Sequence, residues 1–108
     1  MKLLDENEAM ICGAIGKNLR KPKQECVSYE IEYLRNDVRG CINNIQDWMS
    51  DHYVEKNIVT MMDTTLIHYD PLGVVLIMGA WNYPLQLSLA PLGGVISAGN
   101  CAVIKPQS

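Results

Sequence analysis

No apolar run in this chain is long enough to cross a bilayer, since the longest, GVVLIMGAW, falls far short of the roughly 20 residues a spanning helix needs. No secretory leader is legible, because the opening MKLLDENEAM turns acidic directly after Leu3 and Leu4. The 4 cysteines, Cys12, Cys26, Cys41 and Cys101, never reach C-x-x-C spacing, which argues against the common zinc and dithiol motifs. Reduced thiols and a cytoplasmic location are therefore the expectation. His52 and His68 have no metal partners at ligand spacing. There is no surplus of positive charge either, and a net charge of -3 gives no reason to expect nucleic acid or an anionic membrane as partner. The one basic cluster, KNLRKPK (17–23), has acids on both sides and reads as a solvated loop. A G-x-G-x-x-G turn, a P-loop, internal repeats and low-complexity tracts are all missing.

What is present suits a globular chain. With 108 residues it is at most one small domain, and 48% apolar and 19% charged content are ordinary for a soluble protein. Leu4, Ile11, Ile15 and Leu19 recur at helical steps, weakened by Gly13 and Gly16, and Pro22 ends that segment. A cleaner helical stripe follows from Ser28: Ile31, Leu34, Val38, Cys41, Ile42, Ile45, Trp48 and Met49. Ser28 can cap it, and Glu30 and Glu32 suit the positive end of its dipole. This places Cys26 in a loop, while DHYVEKN (51–57) reads as a polar connection.

After residue 60 the period changes. TTLIHY (64–69) is β-branched and aromatic, and DPLG (70–73) carries a type I turn signature. GVVLIM (73–78) is continuously apolar, as in a strand covered on both faces. Pro84 suits the first turn of a helix whose buried face is Leu85, Leu89, Leu92, Val95 and Ile96, with Pro91 predicting a kink. Gly99 and Asn100 end it, and CAVIK follows as a second buried strand beginning at Cys101. The fold class is α/β: helices over 1–50, then one strand–helix–strand unit over 64–105 with parallel pairing.

Ligands of open parallel sheets bind beyond the carboxyl ends of the strands. Here those ends are Gly79-Ala80-Trp81-Asn82 and Lys105-Pro106-Gln107-Ser108. Gly79 and Ala80 allow close approach to backbone, the helix near Pro84 should aim free N–H groups at the same space, and Lys105 can donate to hydroxyls or phosphate. Asn82 can be read as a turn or capping residue, or as an amide donor to a ligand. Trp81 and Tyr83 can line such a space or simply pack, and Lys105 can be a plain surface lysine.

The segment PLGVVLIMGAWNYPLQLSLAPLGGVISAGNCAVIKP resembles the start of the coenzyme-binding domain of aldehyde dehydrogenases, nearest the class 3 and fatty aldehyde dehydrogenase branch. In that branch I-G-A-W-N-Y-P and K-P-S-E segments flank one helix, and INNIQDWM and VEKNIVTMMD also fit it. The resemblance implies the beginning of a Rossmann-like sheet, NAD or NADP as coenzyme, aldehydes as substrates and carboxylic acids as products. It implies that Asn82 donates to the oxyanion formed when a cysteine thiolate attacks the aldehyde. It further implies that Gly79, Ala80, Trp81, Asn82 and Lys105 face the coenzyme, Lys105 at the adenosine ribose hydroxyls, with Tyr83 on the substrate side. Ser108 stands where the branch has the K-P-S-E glutamate, which leaves the NAD or NADP preference open.

The family's nucleophilic cysteine, general-base glutamate, glycine-rich coenzyme turn and whole catalytic domain lie further along a longer chain. None of the cysteines here reads as a substitute nucleophile. The 108 residues alone are therefore expected to be inactive, a homodimer is implied at full length, and a membrane anchor beyond this segment is left open. The alternative is a non-catalytic product that associates with full-length subunits.

Overall fold

Punctuation by Arg20 and Pro22 sets the helical half. In the computed structural model, which describes residues 1–107, α1 runs Lys2–Leu19 and buries Leu4, Cys12 and Ile15. It stops where Arg20 turns left-handed (φ 55, ψ 26) and its N–H closes on the Gly16 carbonyl. Pro22, extended at φ -60 and ψ 148, then opens a long helical rod. That rod comprises α2 (Lys23–Glu25), a π-helical stretch (Cys26–Glu32) and α3 (Tyr33–Trp48) in unbroken succession.

The rod begins ahead of the predicted cap. Ser28 lies exposed within the π-helical stretch and caps nothing, because the proline has already opened the helix. Cys26, read as a loop residue, lies inside the rod at 0% exposure. The wider π turn brings residues five apart into line, so Cys26 and Ile31 face inward together with Glu30 between them. The core joins Leu4, Cys12 and Ile15 of α1 to Cys26, Ile31 and Leu34 of the rod, with Leu85, Leu89 and Ala90 packed against them. Arg35 ties α1 to α3, donating from Nε and Nη2 to Asp5 Oδ1 at 3.0 and 2.8 Å and from Nη1 to Glu32.

The second half contains two small sheets. β1 (His52–Tyr53), within the segment read as a plain connection, pairs antiparallel with β2 (Leu66–Ile67). β3 (Val74–Met78) pairs parallel with β4 (Cys101–Lys105), and α4 (Gln86–Ser97) makes the crossover between them. The turn expected at 70–73 does not close on itself. Gly73 takes φ 101 and donates its N–H to Asn100 Oδ1 at 2.8 Å, so Asn100 fastens the starts of the two parallel strands together.

α4 covers one face of this sheet only. Ile77 is buried, while Val74, Leu76 and Met78 alternate on an open face, which corrects the expectation of a strand covered on both sides. Ile96, assigned to the buried face of α4, is 58% exposed, and Ser88 is buried instead. No helix among the described residues is long and apolar enough to cross a membrane. The architecture is helical segments followed by one parallel β–α–β unit.

Candidate functional site at the carboxyl ends of the parallel strands

The register pairs Met78 with Lys105, and the Gly79 N–H continues the ladder by donating to the Lys105 carbonyl at 3.0 Å. The 79–82 segment and the Lys105–Pro106 exit therefore leave the sheet side by side. Gly79 is buried, and a Cβ there would stand 2.2 Å from Ser88 Oγ and 3.7 Å from Pro106 Cα. The missing side chain thus admits α4 onto the strand, and the space that sequence reasoning gave to a ligand is filled by the protein's own helix. Ala80 is half-buried, whereas Trp81, Asn82 and Lys105 are exposed. Lys105 forms no ion pair with any described residue.

Beneath this surface lies a charged clamp that the sequence reading missed. Glu30 is fully buried, and its Oε2 accepts from the N–H groups of Leu85 (2.9 Å) and Gln86 (3.0 Å). Those donors sit at the positive end of α4, where a carboxylate is most favoured. They are the N–H groups expected to be free for a ligand, and they are taken. The other Glu30 oxygen makes no hydrogen bond and faces Lys21 Nζ at 3.5 Å as an ion pair. Lys21 Nζ also donates to the Asn82 carbonyl at 2.5 Å and lies 3.5 Å from the centroid of the Tyr83 ring.

Lys21 is therefore no member of a solvated loop, since its side chain is only 13% exposed. The partners lie 55 to 61 residues away along the chain, and no local periodicity connects them. An acidic residue on the inward side of a helical stripe was the one available signal. The outcome is a loop held by its backbone. The Asn82 side-chain amide makes no hydrogen bond with any described residue and is left open to solvent.

Burial, with a hydrogen bond donated to the neighbouring Cys12 sulfur, pushes the Cys26 thiol up to about 12 and disfavours the thiolate. Cys12 is buried, Cys41 half-buried, and Cys101 exposed on the strand end away from Lys105. His52 meets Tyr69 edge-on with centroids 6.2 Å apart. His68 sits between Asp51 (2.5 Å) and Asp70 (3.6 Å), whose hydrogen bond and charges raise its pKa above the ordinary value. No group of acidic, histidine and cysteine side chains among the described residues could hold a metal ion. Ser108, singled out for the ribose contact, lies outside the described residues.

The donor set fits a coenzyme in part. A free lysine at a strand end and an exposed loop beside it suit ribose hydroxyls, while the capped α4 terminus offers no N–H pair to a pyrophosphate.

Comparison with known proteins gives a consistent picture. Residues 1–108 match the aldehyde dehydrogenase family. Aldehyde dehydrogenase family 3 member B1 of Bos taurus is 41% identical over 106 residues, covering 98% of this chain and 23% of its own length. Family 3 member A2 of Rattus norvegicus is 40% identical over 106 residues, covering 98% and 22%. The substrate-bound state of Staphylococcus aureus AldH superposes with a TM-score of 0.94 at 32% identity, covering 98% of this chain and 23% of that one. The chain thus spans less than a quarter of the length of these relatives.

Proposed function

The chain belongs to the aldehyde dehydrogenase family, and from that premise we propose that 79–83 and Lys105 form the oxyanion and coenzyme wall of an enzyme oxidising aldehydes to carboxylic acids with NAD or NADP. The observation that carries this reading is the state of Asn82: backbone pinned by Lys21, side-chain amide exposed and unpartnered among the described residues. A neutral amide cannot titrate away. Fixed before the substrate arrives, it loses nothing to reorganisation when negative charge develops on the aldehyde oxygen. Such a donor lowers the barrier by on the order of 3 kcal/mol, about two to three decades in rate.

The reaction starts with attack by a cysteine thiolate from outside these residues, forming the C–S bond and moving the carbonyl electron pair onto oxygen. Asn82 Nδ2 donates to that oxygen. When bound, the coenzyme supplies the oxidising power by taking up a hydride from the substrate carbon. Hydrolysis of the resulting thioester releases the acid and restores the thiol. In this assignment Lys105 donates to the adenosine ribose hydroxyls, Ala80 and Trp81 flank the coenzyme, and Gly79 seats the loop on α4. Tyr83, with Lys21 over its ring, forms the substrate-side wall. These residues constitute the N-terminal part of a coenzyme-binding domain, working as a homodimer in the cytoplasm once a catalytic domain is attached. Alone they hold no suitable nucleophile, so the isolated chain is assigned no turnover.

A second reading, a non-catalytic product that associates with full-length subunits, draws on the open apolar face of β3 and β4. The discriminating experiment is a chimera in which this chain, intact, replaces the matching segment of the Bos taurus family 3 member B1. Asn82→Ala in the chimera should lower kcat by about 10²- to 10³-fold with little change in coenzyme KM. An unchanged kcat in the variant would sink the oxyanion assignment.

A further inference from the structure

We infer that Lys21 and Glu30 are positioning residues of the oxyanion site, acting on catalysis chiefly through Asn82. This rests on the assignment of Asn82 made above. The 81–85 segment contains no helix or strand of its own, yet its two ends are fastened to charged groups from elsewhere in the chain. At the far end Glu30 binds the Leu85 and Gln86 N–H groups, and at the near end Lys21 Nζ binds the Asn82 carbonyl. The Lys21–Glu30 ion pair joins the two fastenings at 3.5 Å. These five groups form one closed brace across the loop.

Helix stability alone does not require this arrangement. A local serine or aspartate would cap α4 without burying a carboxylate at 0% exposure. Taking the charges of a buried pair out of water is costly, and apolar residues of similar volume often stabilise a fold as well or better. What the charges add is direction. Lys21 reaches past its ion-pair partners to the carbonyl of Asn82 itself, and its contact with the Tyr83 ring fixes the next residue too. The π-helical stretch supports the brace, because its wide turn lets Glu30 and Ile31 both face inward at 0% exposure. Such irregular turns are frequent at functional sites.

A donor displaced by a fraction of an ångström still binds substrate but stabilises the oxyanion less, so the loss belongs in kcat. The test uses the chimera and a double-mutant cycle. Lys21→Met should lower kcat about 10- to 100-fold while the aldehyde KM stays within about threefold. Lys21→Arg should recover part of the loss, and Glu30→Gln should reproduce the kcat defect more weakly. In the Asn82→Ala background, Lys21→Met should slow the enzyme by no more than about twofold, because the group it positions is gone. An equal loss in both backgrounds overturns the inference, as does a normal kcat for Lys21→Met. Should Lys21→Met fail to fold, Lys21→Gln, which is polar but too short to reach the Asn82 carbonyl and carries no charge, serves in the same cycle. If Asn82→Ala alone leaves kcat unchanged, the oxyanion assignment falls and this inference with it. If Asn82→Ala is slow and Lys21→Met is not, only the positioning role fails.

Discussion

Gly79 and Ser88 compete for one small volume between β3 and α4. Ser88 Oγ is buried without a hydrogen-bond partner and stands 2.2 Å from where a Gly79 Cβ would be, while Ser88 Cβ would be 3.4 Å away. Replacing Gly79 by alanine forces the serine to rotate or the helix to retreat, at about 1–3 kcal/mol. Gly79→Ala in the chimera should therefore lower the denaturation midpoint, and adding Ser88→Ala should recover most of the loss, since the remaining contacts are ordinary van der Waals distances. A double variant no more stable than Gly79→Ala would show that the backbone, not the hydroxyl, sets the limit. Ser88→Ala alone should be close to neutral, because the hydroxyl it removes has no partner. This glycine was legible as a close-approach residue, but its neighbour was not: only folding brings Ser88 back over the strand.

The antiparallel β1–β2 element is two residues long on each side, too short to persist on backbone bonds alone. Its ladder pairs His52 with Ile67, and the next pair outward is Asp51 with His68, joined at 2.5 Å between Oδ1 and Nδ1. The hydrogen bond to Asp51, the charge of Asp51 and the charge of Asp70 raise the His68 pKa. A histidine whose folded pKa is raised adds stability that is complete below its unfolded value, about 6.5, and is lost as pH rises through the folded value. Amide exchange of 52–67, corrected for its intrinsic pH dependence, should show stronger protection below about pH 6.5 than above the raised His68 pKa. Asp51→Asn should flatten that difference. Protection that instead increases with pH would reverse the sign and refute the tether. The β-branched run 64–69 was readable as a strand; its partner was not, because DHYVEKN has no alternation and Tyr53 is exposed.

At the scale of the molecule, the chain extends 65 × 25 × 20 Å and leaves much apolar surface uncovered. Val74, Leu76, Met78 and Val103 stand 55–71% exposed on the open sheet face, and both outer edges of the β3–β4 pair are unpaired among the described residues. Ile58, Val59 and Met62, in the segment between β1 and β2, are 88–92% exposed as well. Apolar faces and free edges of this kind recruit other chains. The isolated 108-residue chain should show concentration-dependent association at micromolar levels, and Leu76→Lys with Val103→Glu should reduce it. A sharp melt independent of concentration would contradict this.

By itself the sequence determined the element order and the class. Alternation and helical period are local, and residues such as Pro22, Gly99 and Asn100 act on the backbone within a few positions of themselves. It also determined the family and singled out Asn82, because the segment from Pro71 to Pro106 carries a specific pattern. The tertiary structure decided what each group touches. Glu30 was legible as a helix-start acid on its own rod and proved to cap a different helix, Lys21 passed for a loop cation, and Gly79 for ligand space. In each case the partner comes from another element. Long-range contacts depend on how helices and strands pack, and packing free energy leaves no periodic trace in the residues it brings together.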